Sequence, residues 1–172
     1  MRLLVVTWDG AGNLPPAAAV AGALASAGHE AHILAHDVQR PAFETMPAAF
    51  HRFETAPQWD VGQPGALGED PVGRIMDFQG GAATDACTVA ARLDPAVVLV
   101  DCMLPNALTA VKAAGFPTVA LVHALYSFFA EYVDGVFKGP GFKERSRAFA
   151  AKVATEPGIE RAVELLEALA AG

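Results

Sequence analysis

Cysteine is scarce: Cys87 and Cys102 are the two in the chain, both in apolar surroundings and without CxxC spacing. A disulfide framework is therefore not expected, and both read as buried free thiols. Positive charge is scarce too, with 12 Lys and Arg against 19 Asp and Glu and a net charge of −7. The basic residues are dispersed except at Lys143-Glu144-Arg145-Ser146-Arg147. Without a clustered basic face, no nucleic-acid partner is expected. No apolar run of about 18 residues is free of glycine, proline or charge, so no membrane span is expected. The opening Met1-Arg2 leads straight into a short apolar run with no small-residue cleavage site, so a cytoplasmic protein is expected. The G-x-S-x-G elbow, the Walker loop and H-E-x-x-H are also missing, and neither a metal nor a cofactor is expected.

What is present is organised around Arg2 to Gly28. Leu3, Leu4, Val5 and Val6 form a continuous apolar run that suits a strand buried on both faces. The loop Trp8-Asp9-Gly10-Ala11-Gly12-Asn13-Leu14 follows, and Pro15-Pro16 opens an Ala-rich helix that Gly28 closes. The loop holds two glycines of the dinucleotide fingerprint, but Pro15 stands where the third belongs and removes a backbone donor. Nicotinamide-type binding is the minor reading.

Further strands are expected at His29–Ala35, Ala49–Phe53, Ala96–Val100 and Thr118–Val122, the third of these fully apolar and the last buried. Asp37 to Met46 reads as a short helix broken by Pro41, and Glu54 to Gly68 as the longest loop. Glu69 to Leu93 reads as a long helix with Val72, Ile75, Met76, Ala83, Cys87, Ala90 and Ala91 on one face. Gly80-Gly81 within it predicts a kink or a close approach by something packed on it. Leu104 to Ala114 is a further helix. Two more close the chain, Phe142 to Ala154 and Pro157 to Ala170, the latter with Ile159, Ala162, Val163, Leu166 and Leu169 as its stripe. Strands alternating with helices predict one doubly wound, Rossmann-like α/β domain with a mostly parallel sheet ordered 3-2-1-4-5.

In that order Asn13, after the first strand, and Asp101, after the fourth, flank the crevice where the winding reverses, and His123 lies one strand further along. Ligands of open α/β sheets bind there. Two plainer readings stay open: Asp101 caps the next helix, and His123 satisfies loop carbonyls. His29, His32 and His36 have helical spacing but fall on a strand, where the first two point oppositely, so a metal site is not expected.

The opening through Gly28-His29, and the stretch DPAVVLVDCMLPNALTAVKAAGFPTVALVH from Asp94 to His123, resemble nucleotide-sugar-dependent glycosyltransferases of the GT-B fold that decorate actinobacterial natural products. The tail FKERSRAFAAKVATEPGIERAVELLEALAAG resembles the last helices of the same enzymes, which cross back onto the amino-terminal domain. The resemblance implies an acceptor-binding domain over residues 1–137, a linker at 138–141, and tail helices over 142–172. It implies that the donor domain is absent, so that nucleotide-sugar would be met only through that domain. Such enzymes commonly pair a histidine in the first loop with an aspartate after the fourth strand. Carried over, Asn13 takes the histidine's place and Asp101 the aspartate's, leaving Asp101, His123 or the acceptor to manage any deprotonation.

The acceptor pocket is then expected to be lined by Trp8, Asp9, Trp59, Met76, Phe78, Tyr126, Phe129 and Tyr132, favouring an apolar acceptor. Clustered aromatics also suit plain core packing. Three alternatives stand beside this reading. The chain is a natural subunit completed by a separate donor-domain partner, or a small-molecule-binding module or engineered fold with no catalytic role, or it self-associates as a homodimer across the face the donor domain would cover.

Overall fold

The apolar run at the amino terminus forms β1 (Arg2–Val6), the middle strand of a five-stranded sheet in a computed structural model of the chain. The structure describes residues 1–9, 13–58, 71–122 and 158–171, with the backbone alone for 71–77. The other strands are β2 (Glu30–Ala35), β3 (Ala48–Arg52), β4 (Val97–Asp101) and β5 (Thr118–Leu121). All pairings are parallel and the order is β3-β2-β1-β4-β5, as expected.

Leu3, Leu4, Val5 and Val6 have no solvent exposure because helices cover both faces. Each such side chain contributes about 1.5–3 kcal/mol. Leu3 and Val5 face α1 (Leu14–Ser26) and the terminal helix α4 (Ile159–Ala171). Leu4 and Val6 face α2 (Pro71–Leu93) and α3 (Pro105–Ala113). Prolines open α1 and α3 in their first turns, where a missing N–H costs nothing. Gly28, with φ +83°, closes α1 in a conformation that disfavours other residues.

The structure corrects several expectations. Asp37–Phe43 is a 3-10 helix that contains Pro41, not an α-helix broken by it. Gln39 fixes its start, its N–H donating to the His36 carbonyl at 3.0 Å and its Oε1 accepting from the His36 N–H at 3.2 Å. The buried stripe of α2 runs through Phe78, Ala82, Ala86, Val89 and Ala90, whereas Ala91 is exposed and Ala83 and Cys87 are half-buried. Identical small residues gave no way to choose between adjacent faces. In α4 the stripe is Ile159, Val163, Leu166 and Ala170, and Leu169 is 45% exposed. β5 lies at the end of the strand order, so its side chains are only half covered rather than buried.

At Gly81 the close approach is real: a Cβ there would lie 2.5 Å from the Ala56 Cα. The loop after β3 lies against the helix at that point, moored by Asp85. This buried carboxylate accepts from the N–H groups of Glu54 (2.9 Å), Thr55 (2.9 Å) and Ala56 (3.1 Å), and from the Thr55 hydroxyl (2.7 Å).

Candidate functional site

The β1 and β4 strands point their carboxyl ends at the place where the winding reverses, and Asn13 and Asp101 meet there. Asn13 is the N-cap of α1 but makes no side-chain cap bond. Its Nδ2 reaches across instead, donating to Asp101 Oδ2 at 2.6 Å and to the Trp8 carbonyl at 2.9 Å. Thr7 Oγ1, just past β1, stands 3.4 Å from the same Asp101 oxygen, and the other oxygen accepts the Met103 N–H at 2.8 Å. Asp101 has no solvent exposure and Asn13 has 2%. Hydrogen bonds to a charged group are stronger than neutral ones, so this pair locks the start of α1 to the end of β4.

Asp101 does more than the plain capping reading required. Leu104, not Asp101, is the N-cap of α3, and Asp101 braces the turn before it through Met103. Gln79 on α2 extends the brace, its Nε2 donating to the Met103 carbonyl at 2.8 Å.

Trp8 and Phe78 stack with centroids 5.6 Å apart, and both are buried. His36, at the end of β2, closes this layer against Phe53 (5.0 Å) and Phe78 (5.4 Å). Its Nε2 carries the proton, since it faces the Pro57 carbonyl at 3.2 Å and a carbonyl only accepts. Burial lowers the His36 pKa below its ordinary 6.5, opposed by the bond to Pro57 and the charge of Asp9. The ring is held neutral.

Of the expected site residues, Asn13, Asp101, Trp8, Asp9 and Phe78 gather at the carboxyl end of the central strands. His123, Trp59, Tyr126, Phe129 and Tyr132 lie outside the described residues, as do the 138–141 linker and the 142–154 helix, and Met76 is described by its backbone alone. Sequence reasoning missed His36, Gln79 and Asp85. His36 carried a usable signal, standing directly after a strand as Asp101 does. Asp85 and Gln79 carried another, as polar residues interrupting an apolar helix face.

Among the described residues no group of three or more His, Cys, Asp or Glu could hold a metal ion, and no helix is long and apolar enough to cross a membrane. The arrangement can hold a loop and present an apolar wall. Its buried carboxylate is already committed to N–H and O–H donors.

No family model matches the sequence, and no curated protein matches it. Solved structures do. The glycotransferase of kitacinnamycin aligns at 16% identity and TM-score 0.59, over 89% of this chain and 40% of that one. The glycosyltransferase VinC, solved in complex with dTDP, aligns at 22% identity and TM-score 0.54, over 73% and 35%. The glycosyltransferase SnogD from Streptomyces nogalater aligns at 22% and 0.53, over 72% and 33%. The shared property is the fold, a Rossmann-like half of the GT-B architecture, and the chain spans well under half the length of these proteins.

Proposed function

We propose that this chain is the acceptor-binding half of an inverting glycosyltransferase, seating an apolar natural-product acceptor beside the first loop and transferring no sugar by itself. The observation that carries the reading is the Asn13–Asp101 contact at 2.6 Å, at the switch point of a GT-B-like half. The first-loop position that holds a histidine base in the enzymes it resembles holds an amide here. In the full reaction the acceptor oxygen attacks the anomeric carbon, its proton passes to a base, and the bond to nucleoside diphosphate breaks with inversion. Asn13 cannot take that proton near neutral pH. Asp101 is sealed from solvent and faces donors on both oxygens.

Stabilising charge on the departing diphosphate is ordinarily a large part of such catalysis. That task falls to a donor domain, which this reading places outside the 172 residues. Residues 1–137 then form the acceptor domain, 138–141 a linker, and 142–172 the tail that packs back on it. The half-buried α4 stripe against α1 supports this division.

Ligand-observed NMR on a mixture of nucleotide sugars, NAD and polycyclic aromatic aglycones tests the reading. Saturation transfer to aglycones alone is expected. A response from nucleotide sugars without one from aglycones would overturn the assignment of this half.

A further inference from the structure

Across β1, β2 and β3, polar side chains form a closed circuit that no part of the proposed function uses, running from Arg2 and Glu30 at the amino end of the sheet to His51 near the carboxyl end of β3. Arg92, in the last turn of α2, places Nη2 3.1 Å from His51 Nδ1 on β3. His51 Nε2 lies 2.9 Å from His32 Nδ1 on β2, the rings stacked with centroids 5.2 Å apart. His32 Nε2 lies 3.0 Å from Glu30 Oε1. The other Glu30 oxygen pairs with Arg2 Nε on β1 at 3.0 Å, and Arg2 Nη1 donates to the Leu93 carbonyl at 2.6 Å. The circuit begins and ends on the last two residues of α2.

Its two charged ends fix every proton in between. A guanidinium only donates, so His51 Nδ1 is an acceptor and its proton sits on Nε2. That N–H faces His32 Nδ1, which is therefore also an acceptor, and the His32 proton sits on Nε2, facing a carboxylate. The Glu30 carboxyl stays ionised, held below its ordinary range by His32 first and Arg2 second. Both rings are neutral, each as its Nε2–H tautomer.

We propose that this circuit is a proton-operated latch between the sheet and the end of α2, in which uptake of one proton by the histidine pair releases Arg92. The two Nδ1 atoms are the only places for that proton. On His51 Nδ1 it turns an acceptor toward Arg92 into a donor. On His32 Nδ1 it faces the His51 Nε2–H, and the clash is relieved only by moving the His51 proton to Nδ1, which again confronts Arg92. Either route leaves Arg92 without its acceptor.

Arg92 and His51 line the groove between β3 and α2, a cavity of about 450 Å³ that also takes in Val89, Thr88 and Phe50, and release frees Arg92 to move within it. Charged groups facing the pair come from every neighbouring element: Arg2 on β1, Glu30 on β2, Arg52 with Glu54 at the end of β3, Asp37 with Arg40 on the 3-10 helix, and Asp85 with Arg92 on α2. Arg52 and Arg40 are paired with Glu54 and Asp37, and Asp85 is held by hydrogen bonds from the loop N–H groups. Arg92 is thus the cation whose position the histidines decide. Burial first, with the positive charge of Arg92 beside it, lowers the His51 pKa and keeps the latch shut at neutral pH.

Long-range imidazole ¹H–¹⁵N correlation on the whole chain reads the tautomers directly. At about pH 7.5 both rings should show the Nε2–H pattern. On acidification the Arg92 guanidinium signals should move in the same transition in which the pair gains its proton. In Arg92→Met the midpoint of that transition should rise by about one pH unit, because a nearby positive charge has gone. An Nδ1–H pattern in either ring, Arg92 signals unmoved through the transition, or an unchanged midpoint in Arg92→Met would each overturn the proposal.

Discussion

Replacing Asn13 by aspartate exchanges one NH2 for one oxygen with almost no change in volume, which makes it a sensitive probe of the Asn13–Asp101 contact. In the native chain the amide donates to Asp101 Oδ2 at 2.6 Å and to the Trp8 carbonyl at 2.9 Å, both side chains being buried. Losing a hydrogen bond to a charged group costs about 1.5–3 kcal/mol, and Asn13→Ala pays this as well. Asn13→Asp adds a second effect, because two carboxyl oxygens then face each other without water between them. The introduced carboxyl is pushed upward by roughly 2–3 pH units, and at about 1.36 kcal/mol per unit this is a further ~3–4 kcal/mol at neutral pH. The sign follows from proton binding. Its folded-state pKa lies above the unfolded value of about 3.9, so the folded form holds a proton the unfolded chain has released. Stability is retained at low pH and lost as pH rises through the window from about 4 to about 7. Urea unfolding of the native chain and both variants at about pH 4.5 and about pH 7.5 measures this. Asn13→Asp should approach Asn13→Ala at the lower pH and fall well below it at the higher. An equal deficit for Asn13→Asp at both values would refute a direct contact with an ionised Asp101.

Gly81→Ala forces a Cβ to within 2.5 Å of the Ala56 backbone and should cost about 1–3 kcal/mol. Gly80→Ala meets open space one residue earlier and should gain about 0.5–1 kcal/mol, both read from calorimetric melting. For the buried His36, whose pKa is lowered, the unfolded chain takes up its proton first as pH falls. Stability should therefore decline below pH 6.5 and level off once the folded-state pKa is passed, and His36→Gln should flatten that decline in urea melts across the same window. Leu166→Ala removes the most deeply buried side chain of α4, 5% exposed, and should cost about 2–4 kcal/mol. Leu165→Ala, at a residue 54% exposed, should shift the urea midpoint by an amount equivalent to about 0.5 kcal/mol or less.

The layout of the sheet was legible because parallel strands buried on both faces write themselves as unbroken apolar runs. Leu3–Val6 and Val97–Val100 could be read no other way, and with them the place where Asn13 and Asp101 meet. The contact between those two was not legible, since it depends on Asn13 turning away from its own helix. Periodicity failed where neighbouring positions are chemically alike, as along α2, where alanines stand on several faces and Asp85 and Gln79 mark the buried one. It failed again at Leu169, because Ala170 fits the contact with α1 as well as a leucine would fit elsewhere. Strand spacing makes His29, His32 and His36 look unrelated. The partner that gives His32 its role, His51, comes from the neighbouring strand and leaves no trace in local pattern.

Helix α2 carries, in one continuous run, Phe78 against Trp8, Gln79 on the Met103 carbonyl, Gly81 against the β3 loop, Asp85 on that loop's amides, and Arg92 on His51. An α-helix turns by about 100° per residue. A single inserted or deleted residue near Thr84 would therefore swing the contacts on one side of it out of phase with those on the other, whereas the same change in residues 59–70, ahead of the helix, leaves the spacing within it unchanged. Between β3 and the end of α2, length variation among chains of this type should accordingly fall ahead of Phe78, and the spacing from Phe78 to Arg92 should be inherited as a fixed unit.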